Sequence, residues 1–386
     1  MKESALRDLI AQKISQLKPG LTLLQKEQYI PGKHGTKSFI DLYLYEEIPM
    51  WQAYINCVRH FGFDALMDGS LQILFDDLDA GQLEQQEYIV YEDNRKIITR
   101  RARSAGGKLF WNDTARIYTH DNPPANVHYQ TIGLDETPIT WRKVVKRSNY
   151  PTGAALLRLV KEEMGSHGLV GITCGTSLLV NSERAVYDYF DDPGKYIQRR
   201  DQKLEYYVKR FQRLMSLEVK PDFICTGGSG SLVFQTVEMF RELALPIVQT
   251  ITRLCKENGI PSHLHCCGPE AEMVKICAEE TNLTVIDPLE LPPMGNCVLR
   301  EIKKLYGQKL VLKGNLHTTD VMLLGTPGQV AAASRQAIDD AAEGGRFILS
   351  TGDQCGRDTP DENLFAMIET ARTYGKYPLT KESASI

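Results

Sequence analysis

The stretch His265-Cys266-Cys267-Gly268 carries the donor types and spacing for metal chemistry. Side chains alternate along an extended segment, so His265 and Cys267 share one side of the strand-like run that ends there. Imidazole and thiolate are a zinc pair. A catalytic zinc takes three protein ligands and leaves one position for substrate, whereas structural zinc is closed by four. The third donor expected is Cys355, in Ser350-Thr351-Gly352-Asp353-Gln354-Cys355, just past another strand-like run. An exchangeable fourth is a carboxylate from Val285-Ile286-Asp287-Pro288-Leu289-Glu290. Glu290 is preferred, because Asp287 precedes a proline and suits the turn. Asn315, His317 and Asp353 lie at other strand ends, where they could orient substrate or hydrogen-bond a ligand. His263 alternates in phase with His265 and reads as core or as support behind it. Cys57, Cys255, Cys277 and Cys297 fall in helix-like runs and read as buried small hydrophobes.

These residues need a scaffold that brings distant strand ends together. From residue 150 onward the chain repeats short strand, loop, helix. Strand-like runs fall at 169–173, 223–226, 262–265, 283–286, 309–313 and 346–350. Helix-like runs lie near 202–217, 232–258, 270–279, 296–306, 327–342 and 361–374. Repeated βα units imply parallel strands. With a buried run at 62–66 and one more strand in the N-terminal half, about eight strands result, the number of a TIM barrel. The expected fold is α/β, a (β/α)8 TIM barrel, with an open doubly wound sheet as the alternative. In such a barrel the active site is built from the loops at the C-terminal ends of the strands. No GxGxxG or P-loop follows any strand. Gly227-Gly228-Ser229-Gly230 suits either an anion cradle or a tight βα turn.

The N-terminal part reads differently. Residues 1–18 are an amphipathic helix ended by Pro19-Gly20, residues 39–45 an extended segment, and Pro49 opens a helix through His60. Residues 86–120 alternate or are β-branched around the turn Glu92-Asp93-Asn94, which predicts an inserted β-hairpin or small meander. Arg100, Arg101 and Arg103 there read as a solvated strand face. The expected division is an N-terminal helical segment, 1–60, and the barrel, 61–386, carrying the insertion at about 86–120.

Composition narrows the function. The chain has 386 residues, 42% hydrophobic and 24% charged, with a net charge of -4. That balance argues against nucleic acid as a partner, which needs a basic surface. No apolar run approaches the roughly 20 residues that span a bilayer. No apolar core marks a signal peptide, so a cytoplasmic location is expected. Nine cysteines in such a chain are expected to be reduced, free to bind metal or react.

From about residue 165 the chain resembles the uroporphyrinogen decarboxylase superfamily. The resemblance is carried by His265 through Cys267-Gly268, Asp287-Pro288-Leu289-Glu290, Pro292-Pro293-Met294-Gly295, Gly314-Asn315-Leu316, Gly325-Thr326-Pro327, Asn363 and Tyr374-Gly375-Lys376-Tyr377. It implies a (β/α)8 barrel. The Arg-Gln-Ala-Gly-Arg-Tyr-like stretch of the true decarboxylases is absent. His-x-Cys with a distant Cys is the pattern of the zinc methyltransferases, such as methylcobalamin:coenzyme M methyltransferases. The resemblance therefore implies zinc on His265, Cys267 (rather than Cys266) and Cys355, and methyl transfer with a corrinoid, methylcobalamin or a corrinoid protein. The other substrate would be a small thiol or a methoxylated or methylated small molecule. Two departures stand out. His317 follows Gly314-Asn315-Leu316 where the family often has Asp, and the hairpin at 86–120 is longer than a coenzyme M enzyme needs. The alternatives are a decarboxylase-like enzyme without metal and a non-catalytic barrel that binds a corrinoid or tetrapyrrole. Met- and Leu-bearing helices could bury a homodimer surface.

Overall fold

A computed structural model describes residues 23–24, 38–67, 71, 73–356 and 358–377. The helix expected at residues 1–18 lies outside the described residues. The chain divides into two compact units, one of Met1–Gln28, Cys57–Gly69 and Lys161–Ile386, the other of Tyr29–Asn56 and Ser70–Val160.

The strands in chain order begin with β1 (Leu23–Leu24) and β2 (Ala65–Met67). The second unit then supplies β3 (Gln85–Glu92), β4 (Lys96–Ala105), β5 (Lys108–Thr119), β6 (Ala125–His128) and β7 (Arg142–Lys143). The first unit resumes with β8 (Leu169–Thr173), β9 (Phe223–Gly227), β10 (Ser262–His265), β11 (Val285–Asp287), β12 (Val311–Leu316) and β13 (Phe347–Thr351).

In the first unit the strands form one eight-stranded sheet in the order β1-β2-β8-β9-β10-β11-β12-β13. Every pairing is parallel. Sequential parallel strands joined through helices make a TIM-barrel-like α/β fold. Ala65, Phe223, Cys225, Val285, Val311 and Ile348 pack together on one face of the sheet. The strands are short and apolar because both faces are covered. The helix Pro327–Ala341 opens with a Thr326–Gln329 capping box and Pro327 in its first turn, a device that contributes roughly 1 kcal/mol.

Register places the chemistry. His263 pairs with Val285, Leu264 with Ile286, and His265 with Asp287. Ile286 pairs with Leu312, so the next residues along, Asp287 and Lys313, stand side by side. His265, Asp287 and Lys313 thus form one row across β10, β11 and β12, one level above His263 and Val285. β12 runs to Leu316, beyond the expected 309–313, and takes Asn315 into the strand. The expected single helix over 232–258 is interrupted. Short helices at Ser231–Phe234 and Val237–Met239 and a π-type turn at Phe240–Ala244 precede Leu245–Glu257. Pro246 at its start lacks the N–H that a continuous α-helix would use.

In the second unit the expected hairpin is a five-stranded antiparallel sheet, in the order β6-β5-β4-β3-β7. β6 and β7 are too short to show alternation in the sequence. Residues 39–45 are not extended. Phe39–Tyr43 is a helix, started by Ser38, whose hydroxyl accepts from the Asp41 N–H while Asp41 accepts from the Ser38 N–H. Arg100 is not on a solvated face. It is buried, lies 4.2 Å over the Tyr129 ring, and donates to the carbonyls of Asn112, Asp135 and Glu136. Among the described residues no helix is long and apolar enough to cross a membrane.

Candidate metal centre

β10 ends at His265, and alternation turns His263 and His265 to the same face. Gly227 beside them must be glycine, because a Cβ there would lie 2.5 Å from the His265 carbonyl oxygen. After β9 the Gly228 N–H donates to the His265 carbonyl, which ties the glycine-rich loop to the end of β10.

Asp287 organises the row. Its Oδ1 lies 3.3 Å from His265 Nδ1 and 2.9 Å from His263 Nε2, and its Oδ2 is ion-paired with Lys313 Nζ. The three supporting side chains are nearly inaccessible: Asp287 0%, Lys313 1% and His263 2% exposed. Burial opposes charge on Asp287, but Lys313, His263 and His265 together hold its carboxyl well below the usual range. Burial likewise opposes charge on His265. Asp287, a hydrogen bond with Cys267, and Asp353 overcome it and place the imidazole well above its ordinary value.

With Nδ1 turned to Asp287, the other ring nitrogen of His265 faces outward. His265 Nε2 lies 3.7 Å from Asp353 Oδ1. His265, Cys267 and Asp353 each offer one donor atom, and these atoms lie within 4.8 Å of one another. All three are partly exposed, unlike the residues behind them. An imidazole backed by a carboxylate, a thiol and a carboxylate fit a borderline-soft divalent ion, zinc above all. His265, Cys267 and Asp353 are the donors that the structure brings together for such an ion.

The other expected site residues divide. Glu290 is buried and its Oε2 accepts from the Gly268 N–H at 2.6 Å. Burial raises its carboxyl above the usual range; the Gly268 bond, His265 and His317 oppose the rise and Asp353 adds to it. Glu290 is thus within electrostatic reach of the group without being part of it. Gly268 adopts φ +101°, a conformation that favours glycine, and so turns its N–H to Glu290. Cys355 is buried two residues beyond Asp353 and is outside the three-donor group. Asn315 is buried and donates to the Leu289 carbonyl at 2.9 Å, which ties β12 to the turn after β11. His317 accepts the Asp320 N–H at Nδ1, capping the turn 318–323, and its buried Nε2 has no hydrogen-bond partner among the described residues.

Two residues escaped the sequence reading. Lys313 had a legible signal, a lysine in an apolar parallel strand, where an unpaired charge is untenable. Glu270 had none. It is fully buried ahead of the helix Ala271–Glu280, neither carboxyl oxygen has a hydrogen-bond partner in good geometry among the described residues, and burial pushes its carboxyl well above the usual range.

Parallel strands that converge these side chains at their C-terminal ends define an α/β enzyme scaffold of the TIM-barrel kind. Residues 225–374 match the family described as uroporphyrinogen decarboxylase (URO-D). The methylcobamide:CoM methyltransferase MtbA of Methanosarcina mazei is 30% identical over 140 residues, covering 36% of this chain and 37% of that protein. The methylated-thiol–coenzyme M methyltransferase of the same organism is 27% identical over 144 residues, 37% of this chain and 35% of that protein. The chain thus matches only those shares of these relatives' length. A solved structure titled as a methyltransferase from Methanosarcina mazei shares the fold, with a TM-score of 0.54 and 12% identity, covering 95% of this chain and 98% of that one.

Proposed function

We propose that this protein is a zinc-dependent methyltransferase that moves a methyl group between a corrinoid, free or on a partner protein, and a small thiol or a methylated small molecule. The observation that carries the reading is the His265–Cys267–Asp353 group at the strand ends, backed by Asp287. It lies within residues 225–374, which match the URO-D family, and the chain is similar over part of its length to relatives named as coenzyme M methyltransferases. Zinc, when bound, supplies the positive charge that keeps a substrate thiol ionised at neutral pH.

The chain's own residues do the rest. Asp287 holds His265 Nδ1 and leaves Nε2 as a donor. Of the two donors in the 351–356 turn, Cys355 is the stronger for zinc, and we assign it as the third ligand. That assignment requires the turn to bring the Cys355 Sγ to the place that Asp353 Oδ1 takes beside His265. Glu290 is the exchangeable fourth donor, which a substrate thiol would displace. His317 Nε2, buried and without a hydrogen-bond partner among the described residues, is the group assigned to orient substrate, and Asp353, beside His265, is assigned to accept a proton or a hydrogen bond. Asn315 positions the Leu289–Glu290 turn. We read the eight-stranded sheet as a closed barrel in the full chain.

The test is zinc analysis of purified protein combined with methyl transfer from methylcobalamin to a panel of thiols and methoxylated aromatics, followed by the corrinoid spectrum. About one zinc per chain and thiol-dependent demethylation are expected. Protein with well under one zinc per chain, and no transfer after zinc is added back, would sink the reading.

A further inference from the structure

We propose that Lys313 is a positioning residue for the metal centre, acting through Asp287 to aim His265. The inference rests on the metal reading above. A carboxylate shared by two imidazoles has no fixed orientation of its own. Asp287 Oδ1 faces both His263 Nε2 at 2.9 Å and His265 Nδ1 at 3.3 Å. The other oxygen, Oδ2, is held by Lys313 Nζ from the neighbouring strand. That ion pair removes rotation of the carboxyl about its Cβ–Cγ bond and leaves Oδ1 on the histidine side.

The geometry needs the lysine for this. His263 is buried behind the site, its ring packs edge-on against Phe223, and neither of its ring nitrogens makes a hydrogen bond of good geometry among the described residues. The 2.9 Å ion-pair contact of its Nε2 therefore does not by itself fix the carboxyl plane. Lys313 comes from β12, whose next inward residue, Asn315, ties down the turn after β11. One strand thus braces both the carboxylate behind His265 and the loop that carries Glu290. An ammonium buried to this degree is costly without a purpose, because removing it from water is repaid only by close pairing. Apolar residues in place of both Lys313 and Asp287 would fill the space without that cost.

The experiment compares full-length wild type with Lys313→Met and Lys313→Arg. Zinc affinity is read by competition with a chromophoric chelator. The His265 ring is read by the slowly exchanging imidazole N–H resonance of zinc-free protein, assigned by its loss in His265→Ala. Lys313→Met should bind zinc about 10- to 100-fold more weakly, the range for loss of support behind a ligand. It should also lose the protected Nδ1–H resonance, and Lys313→Arg should restore part of both. A folded Lys313→Met with wild-type zinc affinity and a wild-type His265 resonance overturns the proposal. Lys313→Met leaves Asp287 unpaired and could fail to fold. Lys313→Met is then made in an Asp287→Asn background, where a lysine acting through the carboxylate has nothing to hold: zinc affinity no weaker than in Asp287→Asn alone is expected, and a further loss of about 10-fold or more would overturn the proposal. Wild type that binds no zinc defeats the metal reading instead, and the resonance still reports on Lys313.

Discussion

Asp287 Oδ1 stands 3.3 Å from His265 Nδ1, and this contact decides which nitrogen of His265 is offered outward. A histidine bonded at Nδ1 presents Nε2, and here Nε2 faces Asp353 in the group that also holds Cys267. The aspartate that the sequence assigns to a turn is the centre of a buried charge cluster.

Asp287→Ala should be among the most destabilising single changes in the chain. It leaves Lys313 buried and unpaired, which costs about 3–5 kcal/mol when one partner of a buried pair is removed. Urea denaturation measures the loss. Combining it with Lys313→Met should recover most of the stability without restoring zinc affinity.

Cobalt substitution counts the thiolates. With Cys267 and Cys355 both bound, the sulfur-to-cobalt charge-transfer band should have the intensity of two thiolates, falling to half in Cys355→Ala. Half intensity already in wild type, unchanged by Cys355→Ala and altered by Asp353→Asn, would instead make Asp353 the third ligand.

Lys303 offers a pH test away from the site. Burial, aided by Arg346, lowers its pKa from the ordinary 10.5 to about 8. Between these values the unfolded chain binds more protons than the folded one, so this group's contribution to stability rises as pH increases through that window. Below about 8 both states are protonated and the burial cost is carried in full. Lys303→Met should therefore raise stability at pH 7 and flatten the profile between pH 8 and 10.5. Urea midpoints at pH 7 and 9.5 check it; an unchanged slope would exclude Lys303 as the source.

Arg100 should resist conservative replacement. Its guanidinium serves three carbonyls in different directions while stacking on Tyr129. A lysine has no planar fork to do this. Arg100→Lys should lose about 3 kcal/mol, the scale of two charge-assisted hydrogen bonds. Hydrogen exchange at residues 135–136 should speed up well before the rest of the sheet responds.

What the sequence by itself determined is local and periodic. The βα rhythm follows from short apolar runs, glycine turns and amphipathic helices, and the strands at 169–173, 223–227, 262–265 and 347–351 lie close to where that rhythm puts them. Alternation alone put His263 and His265 on one face. The helix at Phe39–Tyr43 and the strands β6 and β7 were not legible, because a single capping box or a pairing partner, not periodicity, makes them. Arg100 looked like a surface charge because nothing local shows that carbonyls 12 to 36 residues away will surround it. The tertiary structure decided what stands next to what across the sheet. Register set His265 beside Asp287 and Asp287 beside Lys313, although 22 residues separate the first pair and 26 the second. A parallel sheet fixes such neighbours only when all strands are in place, since one residue of slip would turn each side chain to the opposite face.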